Sequence, residues 1–285
     1  MKRILYLDAF AGISGDMFVG ALLDLGVELD AVRRDVESLD LKGFEIRATT
    51  VLRQGLRGTK FDVLDPASGR HIDELPAHHH HRRHEKHSHS DGHGHHHHTE
   101  QTHAISSRTH EHRSLREIRH IIRGSALSPE IAADAVAVFE ILGRAEAFVH
   151  KVSLDDVHFH EVGALDTIVD IVAAASALRR LNVDEVISSP IHVGSGTVHS
   201  AHGLLPVPAP ATLEILQGIP VYSTGIIGEL ATPTGAALLK HFCTGFGSLP
   251  HLTVEAVGYG AGTKDFGIPN LLRATVGSLV CESIR

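Results

Sequence analysis

Apolar and polar positions follow two periods along most of this chain, and both lapse over one interior stretch. RILYLDAF (3–10) is a short apolar run interrupted by Asp8. GDMFVGALLDLG (15–26) then spaces its apolar residues at three and four, with Gly26 as a stop, so a strand, a glycine turn and a helix are predicted in succession. AVRRDVESL continues as helix, and FEIRATTVL and KFDVLD read as two strands. Helical spacing returns at SLREIRHII (114–122) and at SPEIAADAVAVFEILGRAEAFVH, where Ser128 is the predicted N-cap and Pro129 the first helical residue. DTIVDIVAAASALRRL, PAPATLEILQG and PTGAALLKHF are predicted helices; VDEVISSPIHVG, LTVEAVGYGAGTKD and LLRATVGSL are predicted strands.

The pattern predicts an α/β fold, a mixed sheet with flanking helices, interrupted by a long disordered His-rich loop. Residues 1–65 form the N-terminal part of the core domain and 114–285 the remainder. Between them, residues 66–113 have almost no aliphatic periodicity and cannot offset the entropy of ordering. No internal repeat is present.

Composition sharpens one point and removes several classes. With 285 residues and 42% hydrophobic content, the chain can bury a sizeable core. No run approaches the ~18 apolar residues of a membrane span, and the start meets Asp8 too soon for a signal peptide, so the expected address is the cytoplasm, with no membrane partner. Two cysteines, Cys243 and Cys281, lack CxxC spacing and are expected to be packing residues. A net charge of −8 without a basic stripe gives no reason to expect nucleic acid.

Sixteen of the 25 histidines lie between His71 and His112, centred on HHHHRRHEKHSHSDGHGHHHH (78–98). The tract is interior, irregular and mixed with Arg, Lys, Glu and Asp, which sets it apart from a terminal purification tag. Its two runs, His78, His79, His80 and His81, then His95, His96, His97 and His98, are candidate metal ligands.

Outside the tract, DAFAGISGDM puts Gly12, Ser14 and Gly15 between a strand and a helix start, where free N–H groups suit an anion; glycines that merely make a tight turn explain the spacing equally well. Without the GxxxxGK[ST] pattern, a P-loop is disfavoured. Asp8 and Asp16, at the strand end and helix start, are candidates for a metal or a cationic ring. In HFHEVGALDTIVD, His158 and His160 share a side if extended, Asp166 and Asp170 share a helix face, and Glu161 lies between. Imidazoles with carboxylates suit Ni²⁺ or Zn²⁺. The plainer explanation, a helix cap and hydrogen-bonded turn histidines, accounts less well for five polar groups in thirteen residues. GTVHSAHG offers His199 and His202 as ligands in a glycine-bounded loop, where histidines are often only surface residues. In GELATPTGAALL, Thr232, Thr234 and Gly235 mark a second possible anion site, although good capping needs no ligand. GYGAGTKD, with Lys264, reads as a lid, a phosphate contact or a hairpin.

Taken together, DAFAGISGDM, HFHEVGALDTIVDIV, GTVHSAHGLLPVPAPAT, GELATPTGAALL and GYGAGTKDF…PN resemble the LarC family, nickel insertion proteins for the lactate racemase cofactor. The resemblance implies a nickel chelatase that places Ni²⁺ into pyridinium-3,5-bisthiocarboxylic acid mononucleotide through two sulfurs and a ring carbon. It implies CTP hydrolysis with Mg²⁺ or Mn²⁺ at a C-terminal domain that this chain, ending at Arg285, does not contain, so a separate C-terminal domain is an expected partner. Lactate racemase or another nickel-pincer enzyme would be the recipient. Glycine-rich helix starts would take the phosphate, Asp8 or Asp16 the cationic ring, and His158, His160 or Glu161 would act as the base that removes the ring proton. Two other readings use the same residues. A nickel store would need only the tract, and a metal-dependent hydrolase would use the His and Asp groups with metal-bound water.

Overall fold

Local signals set the helix ends. Ser128 caps its helix by accepting from the Ile131 amide, with Pro129 first inside. Ser114 and Glu117 form a reciprocal capping box at the helix after the His tract, and Thr232 caps another by accepting from the Gly235 amide at 3.2 Å, followed by Pro233. In this computed structural model, which describes residues 2–72, 113–159, 165–200 and 202–280, the chain order is β1 (Arg3–Asp8), α1 (Gly15–Asp24), α2 (Leu29–Glu37), β2 (Glu45–Arg53), β3 (Leu56–Leu64), α3 (Leu115–Gly124), α4 (Pro129–His150) and α5 (Leu165–Leu181). There follow β4 (Glu185–Ser188), β5 (Ile191–His192), β6 (Gly194–Ser195), β7 (Thr197–Ser200), β8 (Gly203–Pro206), α6 (Pro210–Ile215), β9 (Val221–Tyr222), β10 (Gly228–Glu229), α7 (Pro233–Phe242), β11 (Gly245–Phe246), β12 (Leu252–Ala261) and β13 (Leu271–Leu279).

Seven strands form one mixed sheet in the order β11-β4-β1-β13-β12-β3-β2. β1 lies parallel to β4 and antiparallel to β13, so the first and last strands pair at the centre. α1 packs on β12 and β3 and against α5. Phe18 and Leu22 of α1 are fully buried, with the Phe18 ring stacked on Phe242 of α7, and α5 is almost wholly buried because Ala173, Ala174, Ala175 and Ala177 let its neighbours approach closely.

Three sequence expectations change. VDEVISSPIHVG is not one strand: β4 ends at Ser188, and β5 and β6 pair in separate two-stranded sheets with β9 and β10. Pro190 lacks the N–H that would continue the ladder. GTVHSAHG is not a plain loop, because β7 and β8 make a hairpin through it. The described chain also runs past residue 65: Asp65 accepts from the amides of Ala67 and Ser68, and Ile72 lies in the core.

One ionic cluster ties three helices together. Asp134 near the start of α4, only 7% exposed, accepts from Arg179 Nε near the end of α5 at 2.6 Å and faces His241 Nε2 of α7 at 3.0 Å. Asp134 thus ties the start of α4 to the ends of α5 and α7. Burial alone would raise the Asp134 pKa, but bonding to His241 and Arg179 more than offsets it and the pKa is lowered. Its stabilisation is thus fully present above the unfolded-state pKa of ~3.9 and lost as pH falls through the lower folded value. Asp134→Asn should cost about 2 kcal/mol at neutral pH, and the gap between wild type and variant in urea unfolding should close below about pH 4.

Candidate functional site

A cleft of about 250 Å³ opens where the starts of α1, α5 and α7 converge. Ser14, Gly15 and Asp16 line it from α1, Asp166, Thr167 and Asp170 from α5, and Thr232 and Thr234 from α7. Close backbone approach builds it. Ile13 donates to the Leu230 carbonyl at 2.9 Å and Thr232 to the Ile13 carbonyl at 3.0 Å, which stitches the loop after β1 to the entry of α7. Gly12 turns there with φ +83°. A Cβ on Gly235 would fall 2.4 Å from the Ile13 oxygen, and one on Gly15 would fall 2.4 Å from Asp170 Oδ2. Glycine is therefore required at both, and the Asp170 carboxylate rests on the positive end of α1.

Asp16 is held from two sides. The Ser14 hydroxyl donates to Oδ1, and Lys60 Nζ donates to Oδ2 at 2.6 Å. The Lys60 side chain is only 5% exposed and also lies 3.0 Å from Asp62 Oδ1. Burial works to lower the Lys60 pKa, and Asp16 with Asp62 outweighs it, leaving the ammonium held above its ordinary value. On the far wall, Lys264 and Phe266 come from the turn between β12 and β13. Buried Asn270 fixes that turn by donating to the Lys264 carbonyl at 2.9 Å. Glu229 and His71 complete the rim.

Four lining carboxylates face one lining lysine among the described residues. The three helix starts add partial positive charge at the base. Such a cleft offers both carboxylates and, at the helix starts and Lys264, positive charge, which suits a ligand with a cationic centre and an anionic group.

The other sequence candidates lie elsewhere. Asp8, at the end of β1, pairs with Arg273 across the β1–β13 register and is not part of the cleft lining. Burial first, and the Asp8 charge second, raise the Tyr222 pKa. His158 is exposed and bridges to Ser114 at the start of α3. His199 is exposed on β7 opposite Leu204. His202, at the β7–β8 turn, packs its ring on that of His150. His160, Glu161, His78 to His81 and His95 to His98 lie outside the described residues, as does Cys281. Cys243 is half-buried, and desolvation of its thiol pushes the pKa up. Among the described residues, no three His, Cys, Asp or Glu side chains are already grouped to hold a metal ion, and no helix is long and apolar enough to cross a membrane.

The family model described as "Nickel insertion protein" matches residues 5–284. The chain belongs to the nickel insertion protein family. Members from Desulfitobacterium hafniense, Geobacillus kaustophilus and Staphylococcus saprophyticus are 46%, 43% and 37% identical over 277, 278 and 274 residues. Each carries the name pyridinium-3,5-bisthiocarboxylic acid mononucleotide nickel insertion protein. These matches cover 97%, 96% and 96% of this chain but 59%, 60% and 60% of those family members. The chain thus spans about three fifths of their length. No solved structure matches.

Within this nickel insertion family fold, the cleft gathers residues that sequence reasoning did not single out. Thr167, Glu229 and Asn270 arrive from α5, β10 and the last turn, and His71 from just beyond β3, while Lys60 of β3 reaches the lining only by bonding Asp16. One signal was available. Lys60 and Asp62 are two apart on a strand and so share a face, opposite Phe61 and Val63 in the core.

Proposed function

We propose that this chain provides the substrate cleft for Ni²⁺ insertion into pyridinium-3,5-bisthiocarboxylic acid mononucleotide. The observation that carries the reading is the cleft's double character: carboxylates for a pyridinium ring, and helix starts with Lys264 for a phosphate monoester. Asp16, steadied by Lys60 and Ser14, would face the ring. Gly15, Thr232, Thr234 and Gly235 would frame the phosphate. Asp166 and Asp170 would receive nickel as it leaves its carrier ligands. Forming a nickel–carbon bond requires loss of the ring proton, and His158, His160 or Glu161 would take it. Asp8, paired with Arg273, would act only through the end of β1.

On this reading the reaction is a lyase-class metal chelation in the cytoplasm. CTP with Mg²⁺ or Mn²⁺ would act at a C-terminal domain supplied with this chain or separately, and lactate racemase or another nickel-pincer enzyme would receive the product. The His tract would store and deliver the metal. A carrier without catalysis is the second reading, favoured by the concentration of histidines in the tract.

Binding of the nickel-free precursor to the purified chain, followed by calorimetry, separates the two. A substrate cleft binds it at one site, and Lys264→Ala weakens that binding about tenfold through loss of one phosphate contact. Absence of saturable binding by the wild-type chain would leave only the carrier reading.

A further inference from the structure

A second cluster lies outside the cleft lining. The rings of His150 and His202 meet with centroids 4.8 Å apart and planes inclined by 47°. Glu146, one turn before His150 on α4, brings Oε2 to 3.3 Å from His150 Nε2. The helix spacing of four puts this carboxylate and imidazole on one face, and the β7–β8 hairpin carries the second imidazole over to them. His150 is therefore common to two adjacent pairs.

We infer that Glu146, His150 and His202 form a staging site for a divalent transition-metal ion beside the hairpin that contacts β10. Two imidazoles and one carboxylate are the donor set that borderline ions prefer over Mg²⁺ or Ca²⁺. His150 is the last residue of α4, so the negative end of the helix favours a cation there. The three donors do not yet enclose a metal-sized space. His150 is 29% exposed and His202 is exposed, so rotation of these side chains can turn the two pairs into one shell.

Topology gives the site its use. The hairpin bearing His202 contacts β10, whose Glu229 lines the same cleft. An ion held here can pass inward with carboxylates waiting. That the ion is Ni²⁺ rests on the proposed function; the site itself rests on these contacts.

Carbethoxylation of histidines with diethyl pyrocarbonate, mapped by peptide mass spectrometry on the whole chain, tests this residue by residue despite the His tract. With Ni²⁺ at ten times the midpoint concentration, mass action leaves about a tenth of the site open, so labelling of His150 and His202 should fall about tenfold with a shared midpoint. Mg²⁺ should protect neither. Outer-sphere partners alone change metal affinity 10- to 100-fold, so losing a ligand in His150→Gln should raise the His202 midpoint by at least about tenfold. Glu146→Gln, a milder change in the same set, should do likewise if His150→Gln does not fold. Unprotected histidines, or a His202 midpoint unchanged in the folded variants, would overturn the site. Protection without precursor binding would retain the site and reject the proposed function, while precursor binding without protection would do the reverse.

Discussion

Replacing Lys60 with methionine should lower the unfolding free energy by about 3 kcal/mol, near the lower end for removing one partner of a buried ion pair. Methionine matches the length of the aliphatic stem but leaves Asp16 and Asp62 facing each other without the ammonium that lies 2.6 and 3.0 Å from them. Because both carboxylates are partly open to water, some of the penalty is screened, and a larger loss is not expected. The pH dependence distinguishes this from lost packing. The raised Lys60 pKa means that its contribution is complete below the unfolded lysine value of ~10.4 and disappears as pH rises through the higher folded value. The difference between wild type and Lys60→Met in urea unfolding should therefore be flat from pH 6 to 9 and shrink only above about pH 10.5. Adding Asp16→Asn and Asp62→Asn to Lys60→Met should recover much of the loss, since no uncompensated charge then remains. A deficit independent of pH would assign Lys60 a packing role alone.

Lys60 also shows why part of the site was hard to read in the sequence. The α4 cap at Ser128, the proline entry at Pro233 and the start of α1 were legible because capping and helical spacing act within four residues. Convergence of α1, α5 and α7 on one cleft was not, because it depends on the order of strands in the sheet and on glycines whose need appears only when two backbones meet. Gly15 is required by Asp170, 155 residues away. The same limit explains the strand error at 183–194: its Val and Ile residues favour a strand on both sides of Pro190, and only Pro190 and the pairing partners decide that β4 and β5 part company. His202 was picked from a short motif as a ligand, but its contact with His150 joins a hairpin to a distant helix end.

The sharpest division is expected between variants of the 158–161 segment and tract variants. His158→Ala, His160→Ala and Glu161→Gln should each leave bulk nickel binding intact, because the 78–98 tract contributes far more imidazoles than any one position removes. The variant that lacks the true base should insert nickel about 10²-fold more slowly, the low end of what general-base catalysis supplies. The assay is lactate racemase activation with precursor, CTP and the C-terminal domain supplied. Substituting serine for the tract histidines between His78 and His98, with chain length kept, should do the opposite. Nickel stoichiometry should fall, and the remaining uptake should lose the decline below about pH 6 that imidazoles of pKa ~6.5 impose through proton competition. Insertion should still proceed when Ni²⁺ is abundant, because mass action then replaces delivery. The thermal transition of the tract variant should stay within about 0.5 kcal/mol of wild type, as expected for substitutions away from the core, since the described core closes at Ile72 and resumes with the Ser114 cap. Normal insertion by all three variants at 158–161 would remove the base from this segment, and slow insertion by the tract variant at saturating Ni²⁺ would make the tract part of the chemistry rather than of supply.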